Sequence, residues 1–480
     1  MDYFTIGKIN EKQTSTEFII KDLIDNHDTV KMVQGVNYYN NDNIIKKRQL
    51  YFWKDGIKQI DETKINNRIP HNWHKLLVDQ KVSYLVGTPM VINSTSGQDA
   101  RDEEYNNLIT EYTGEDWDDV VNELVKHAAN KGVEWLQPYI NEEGEFKFIN
   151  IPGEQCIPIY DTSRQENLEI MLRYYTIDYN GNSRIRAEWW TSEDVTYYIE
   201  GENGQFEVET INVEGQRIEK KEGHFTVTNT TTGLIQWQSW GRVPFIAFKN
   251  NSECVSDLKF YKELIDLFDI VNSDMANDLE EIQKIITVLK GYAGTNLNEF
   301  MNDLRYFKVV KVDDTGGVEK LEQSIPIEAW KEFKEGLKEA IYTFGQGVNV
   351  STDKFGNSPS GVALKFIYSL LDMKCSIMER KLRKAIKEFL WFVTEYINIK
   401  YKKDFDYKDI QVTFRKTMIT NDAEDVEMAQ KSKGIISDKT IIANHPWVEV
   451  VQDELRELEN QNTINLDDVE DDEDDTDPEI

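Results

Sequence analysis

The stretch YTFGQGVNVSTDKFGNSPSGVALKF occupies residues 342–366 and decides how the chain is read. Helix-compatible sequence ends near Phe344 and resumes near Ser360. Between them lie about fifteen residues of glycine, asparagine, serine and threonine, with Pro359 just before the restart, and loops of that length inside compact domains are uncommon. A long loop between two long helices calls for a function.

Working outward, 480 residues are too many for one ordinary core and point to two to four structural regions. With 30% charged, 39% hydrophobic and 11% aromatic residues, the composition is that of a soluble globular protein. Cys156, Cys254 and Cys375 are odd in number and scattered, which indicates no disulfide framework and a reducing compartment. The start, MDYFTIGKIN, lacks the apolar run of a signal peptide, and no segment approaches the ~18 apolar residues of a membrane span. The net charge is −32. Ten of the last fifteen residues (466–480) are acidic and none is basic, a composition expected to be disordered. It suits a solubilising tail or docking onto a basic partner. The acidic remainder argues against ordinary nucleic-acid binding, which needs a basic footprint.

Residues 1–250 read as α/β. HNWHKLLVDQKVSYLVGTPM (71–90) has an apolar helical face at Trp73, Leu77, Val78, Val82 and Leu85, ended by Gly87 and Pro89. From Phe146 to Lys249 short β-type runs alternate with turns such as NGN (180–182) and ENG (202–204), a meander with hairpins. Its aromatics suit core and cross-strand packing better than a carbohydrate platform. At Asp257 the pattern changes: Leu258, Tyr261, Ile265, Phe268, Met275, Leu279 and Ile282 recur at helical spacing, for a helix of roughly 40 Å. Short β-type runs around NLNEFMNDL follow, then a second helix from Pro326 to Phe344. After the loop a third runs from Ser360 to about Tyr401, roughly 60 Å. Such helices suit a subunit whose neighbours complete its packing, with stripes such as those of Phe268 and Leu382 buried partly between subunits.

The signatures of common catalysis are missing. GQGVNV (345–350) has no third glycine and no Gly-Lys-Ser/Thr, so it is no phosphate loop. His71 and His74 form an H-x-x-H with few carboxylates nearby, which reads as capping or surface histidines rather than metal ligands. No nucleophile elbow and no Cys–His pair is evident. A glycosidase-type carboxylate pair stays open, because its members need only meet in space.

Residues 256–326, FGQGVNVSTDKFGNSPSGVALKFIYSLLDMKCSIMERKLRKAIKEFLWF (344–392), KGIISDKTIIANHPWV (433–448) and NNRIPHNWHKLLVDQKVSYLVGTPM (66–90) together resemble the portal proteins of tailed double-stranded DNA bacteriophages, in the branch of long-tailed phages of Gram-positive hosts. The similarity covers most of residues 40–460. It implies an α+β fold of portal architecture: a wing at 1–253, stem helices at 254–285 and 327–344, a small α/β clip at 286–326, a tunnel loop at 345–359, a long kinked wing helix at 360–401, a wing strand at 402–420, a helical crown at 421–465 and the acidic tail at 466–480.

The resemblance further implies a structural, non-enzymatic subunit without metal or cofactor, in a ring of twelve at one vertex of the capsid. Double-stranded DNA would pass through its channel during packaging and ejection. Its partners would be the terminase packaging motor, the major capsid and scaffolding proteins and head–tail adaptors, with no membrane. It would reside in the virion, and in host cytoplasm during assembly. The opening loop then projects toward DNA through Val348, Asn349, Val350, Ser351, Thr352, Asp353, Lys354 and Phe355. Twelve copies of a −32 chain carry −384, so a weakly binding conduit needs only local basic relief. Lys331, Lys334 and Lys338, spaced i, i+3, i+7 on one helix face, could supply it or could pair with Glu332, Glu335 and Glu339. The rival readings are a cytosolic carbohydrate-active enzyme built on the aromatic β-region and paired carboxylates, or another head–tail connector.

Overall fold

Long-range order begins with helices whose apolar stripes need a sheet to cover. The computed structural model describes residues 4–5, 15–163, 166–179, 181–213, 216–228, 235–282, 286–290, 317–321, 327–349, 361–416, 422–443, 445, 447–448, 451, 454–458 and 461. Its helices are α1 (Thr16–Asp25), α2 (Val30–Tyr39), α3 (Trp73–Val86), α4 (Asp99–Thr113), α5 (Trp117–Lys131), α6 (Lys262–Ile282), α7 (Ile327–Phe344), α8 (Gly361–Tyr401), α9 (Asp422–Ser432) and α10 (Asp438–Ala443). Among the described residues no helix is long and apolar enough to cross a membrane. The chain divides into two compact units, residues 1–347 with 370–417, and residues 348–369 with 418–480.

In the first unit the expected meander is present. Cys156–Tyr160, Leu168–Tyr179, Asn182–Trp190, Asp194–Glu200 and Phe206–Val208 pair in that order, all antiparallel, with Phe4–Thr5 parallel along the outer edge. Alternation decides its faces: Ile157, Ile159, Leu172, Ala187 and Tyr198 turn inward onto Ile19, Ile20 and Leu23 of α1. A second sheet places Val133–Ile140 between Ile246–Lys249 and Phe146–Ile151. Helix α5 lies on this sheet through Trp117, Val121, Leu124, Val125 and Ala128, an apolar stripe of helical period, with Asp118 and Asp119 in its first turn where the helix dipole favours them.

Aromatic packing joins the sheet to the long helix. Trp117 stacks on Phe389 of α8 at 4.3 Å between ring centres, Phe148 meets the same ring edge-on, and Trp240 meets Phe392. Buried Trp135 and Trp240 therefore serve packing, as the sequence suggested for most aromatics of this region. Strand Ile410–Thr413 pairs with Val91–Ser94, so the chain returns to its N-terminal half after α8.

Several expectations change in detail. The helix after Asp257 starts as a 3-10 turn, Asp257–Phe260, and the α-helix proper is 21 residues, about 30 Å rather than 40. Phe268 and Leu382 are buried within the chain itself, whereas Leu279 of α6 and Met373 and Ile377 of α8 stay exposed. Strands Ile286–Lys290 and Gly317–Leu321 pair antiparallel; NLNEFMNDL and YFKVVKVDD, Val350–Phe355 and the tail 466–480 lie outside the described residues.

One close approach is set by a missing side chain. Gly35 of α2 faces the end of α5, and a Cβ there would fall 1.8 Å from the Asn130 carbonyl oxygen. Backbone on backbone cannot yield, so Gly35→Ala must push the two helices apart. We expect a loss of at least about 2 kcal/mol, read as a lower denaturation midpoint, because overpacking costs ~1–3 kcal/mol even where side chains can adjust.

Candidate channel loop and its buried anchor

The described parts of the 342–366 stretch are the end of α7, the first residues of the loop and the start of α8. The helix closes in a Schellman arrangement: Gly347 N–H donates to Tyr342 O (2.9 Å) and Gln346 N–H to Thr343 O (3.2 Å). Gln346 takes the left-handed conformation that this motif requires, at φ 53°. Gly345 and Gly347 owe their identity to crowding: a Cβ on either would fall 2.5 Å or less from a Leu77 methyl of α3. These two glycines serve packing. Val348 is only 2% exposed and Asn349 half-buried, so neither projects as a tip would.

Behind this turn sits a cluster that sequence reasoning missed. Asp257, at the start of the 3-10 turn, accepts from Lys81 of α3 (3.1 Å) and Lys374 of α8 (2.9 Å); all three side chains are buried. Asn250 Nδ2 donates to Asp257 Oδ1 (2.9 Å), and Lys81 Nζ also donates to Asn250 Oδ1. Lys374 Nζ donates onward to the Gly345 carbonyl at 3.1 Å. The base of the loop is thus tied to the helix that follows it. A cavity of about 490 Å³ opens beside the cluster, lined by Lys81, Asp257, Tyr261, Phe344, Gln346 and Lys374 among others.

Burial works against the Asp257 charge, but the ammonium groups of Lys374 and Lys81 and the Asn250 amide outweigh it, holding the carboxyl well below its usual range. Burial lowers Lys81, against the pull of Asp257 and with the Lys374 ammonium adding to the fall. Burial raises the neighbouring Cys375 thiol to about 12, so it is no nucleophile at neutral pH. The three cysteines are free and buried.

The histidines divide. His71 Nδ1 lies 2.8 Å from Asp269, whereas His74, expected at a cap or on the surface, is fully buried with Nδ1 bonded to the Tyr261 hydroxyl at 2.8 Å. Among the described residues no group of His, Cys, Asp and Glu is placed to hold a metal ion. Burial lowers His74 to about 4.

On α7, Lys331 is exposed, Lys334 lies over the Trp330 ring at 4.8 Å, and Lys338 pairs with Glu335 at 3.6 Å. The stripe exists as geometry, with two of its three members engaged inside the chain. The missed anchor did leave a trace. Lys81 falls on the apolar stripe between Leu77 and Leu85, and Lys374 adjoins buried Leu371, Cys375 and Met378, so each is a charge on a buried face.

Two outcomes follow from this chemistry. Asp257→Asn leaves two buried ammonium groups without a carboxylate, and we expect a loss of about 3–5 kcal/mol in a denaturant titration. For His74, the unfolded chain binds a proton between pH 6.5 and about 4 that the folded chain does not. Stability attributable to this group therefore falls as pH drops through that window, by up to about 1.4 kcal/mol per pH unit. His74→Gln should flatten the pH dependence by that amount relative to the parent.

Comparison with known proteins places these features. The family model described as phage portal protein, SPP1 Gp6-like, matches residues 20–464. The portal protein of Bacillus phage SPP1 is 38% identical over 452 residues, covering 92% of this chain and 86% of that protein. The portal protein of Clostridium phage phiCD119 is 33% identical over 439 residues, covering 88% and 90%.

Proposed function

The chain belongs to the SPP1 Gp6-like family of phage portal proteins, the head-to-tail connectors of the virion, and on that premise we propose how its parts serve DNA passage. The observation that carries the reading is the family match over 20–464 combined with a helix–loop–helix whose loop root is held by a buried charge cluster. Members of this family are structural and form rings with capsid and DNA. In our reading twelve copies surround one channel at a capsid vertex. Residues 1–253, 360–401 and 402–420 form the wing, and 254–285 and 327–344 the stem. Residues 286–326 form the clip, and 421–465 the crown. The clip meets the terminase motor during packaging and the head–tail adaptors later, while the outer surface meets capsid and scaffolding proteins.

The loop 345–359 faces the DNA. Its first residues are fixed by the Schellman turn and by Lys374, and Val348 is packed away, so 350–355 is the part that reaches the duplex, with Lys354 as its cation. Phosphate contacts by Lys and Arg dominate DNA affinity, so a conduit that must release its cargo benefits from an acidic body with few free cations. Lys331, the exposed member of the α7 stripe, is the member most available to the channel. Against the rival carbohydrate reading, Trp190, Trp240 and Phe245 of the β-region are used in packing, while Trp237 and Tyr179 are exposed.

Deleting 350–359 tests this placement. Rings and stability should stay near the parent's, because loop length changes stability only slightly. Packaging or retention of DNA should fall. Lys354→Glu should slow translocation, more so at low salt where screening is weak. The purified protein should hydrolyse no ATP. Full packaging and retention by the deletion variant would remove the loop from the channel.

A further inference from the structure

The hairpin Tyr51–Lys54 with Ile57–Ile60 has no role in anything described above. Its strands pair Tyr51 with Ile60, Phe52 with Gln59, Trp53 with Lys58 and Lys54 with Ile57. The turn is Asp55-Gly56, both at positive φ, the combination a two-residue hairpin prefers. Every residue of both strands is exposed, Trp53 to 72% and Ile57 to 63%. An isolated two-stranded hairpin is marginal in water, and contiguous apolar exposure of this kind marks an interaction surface. Its root, by contrast, is pinned: Arg48 pairs with Asp274 of α6 at 2.6 Å, and Asn67 N–H donates to Asn277 at 2.7 Å. Residues 44–68 carry seven Lys and Arg against three acids, in a chain of net charge −32.

A complementary surface lies on α7. Ala329, Glu332, Phe333, Gly336 and Leu337 line a groove of about 450 Å³. Phe333 is half exposed, and a Cβ on Gly336 would meet nothing within 4 Å, so the groove has an open notch. Glu332 lines it and Glu328 lies one helical turn away, while Glu335 is paired with Lys338. Helix α6 separates tab from groove. Asp269, Ser273 and Asn277 hold residues 43–71 on one side. Leu264, Phe268 and Val271, clustered with Leu337 and Ile341, fall about half a turn round the same helix.

We propose that the hairpin 51–60 of one subunit docks in the α7 groove of its neighbour, with Trp53 over Gly336 and Lys58, on the same face of the hairpin, against Glu332. A basic, apolar tab and an acidic, apolar groove on opposite sides of one helix make a head-to-tail contact, which repeats around a closed ring. The apolar faces of the hairpin demand a packed protein partner more than phosphate, and the chain's own acidic groove supplies one. The inference rests on the ring reading above.

Its test uses the full-length chain. Trp53→Cys and Gly336→Cys variants, co-expressed and oxidised, should give a disulfide-linked dimer that neither gives alone; the three native cysteines are buried. Gly336→Leu fills the notch while favouring the helix, so the fold should persist or gain stability. Ring yield by mass photometry should fall about tenfold or more, the scale of losing a buried aromatic anchor. Intact rings with Gly336→Leu and no cross-link overturn the contact while leaving the ring reading in place. A hairpin variant that keeps its rings but loses capsid or DNA binding assigns the tab to that partner and equally overturns it. Absence of rings from the unaltered chain would instead overturn the ring reading and this inference with it.

Discussion

Asp257 between Lys81 and Lys374 is the constraint on which the arrangement turns. It joins α3, the 3-10 turn that launches α6, and α8, and through the Gly345 carbonyl it reaches the end of α7. A buried carboxylate with two ammonium groups and an amide is satisfied in only one relative placement of these helices. Apolar packing alone would allow small slides along each interface. The cluster is expensive in desolvation, and its return is register more than stability.

The end of α7 is over-determined by its Schellman bonds, by the Leu77 contact and by the lysine on its carbonyl. From Val350 to Ser360 the sequence carries three serines and one residue each of glycine, asparagine, threonine and proline. For the channel role proposed above, a charge-anchored root would keep displacement of the loop from propagating into the wall.

What the sequence made legible was local. The 3.6-residue period placed α3, α6, α7 and α8, and the alternation and turn residues placed the meander, because those signals arise within a few residues. Asp55-Gly56 between two apolar-rich strands was equally readable. The anchor was not: Lys81 and Asp257 are 176 residues apart, and nothing near either names the other. Lys81 on an apolar stripe signalled only that some partner existed. His74 misled for the same reason, since its environment is set by Tyr261, far along the chain. The crowding that requires glycine at 345 and 347 was equally hidden, because the Leu77 methyls belong to a distant helix. The expectation that the loop reaches toward DNA came from the resemblance, never from periodicity.

Charge distribution links these levels. An acidic chain avoids holding DNA, yet acidic copies repel one another, and at a Debye length of about 8 Å in physiological salt that repulsion acts chiefly where surfaces meet. Assembly therefore needs contacts that are apolar and locally of opposite sign. In the contact proposed above, the basic hairpin of one copy and the α7 groove of the next would answer that need, while the lysines of the anchor are buried inside the fold. A conduit for a polyanion is assembled with the kind of charge it must not display to its cargo, and in the anchor that charge is buried and paired.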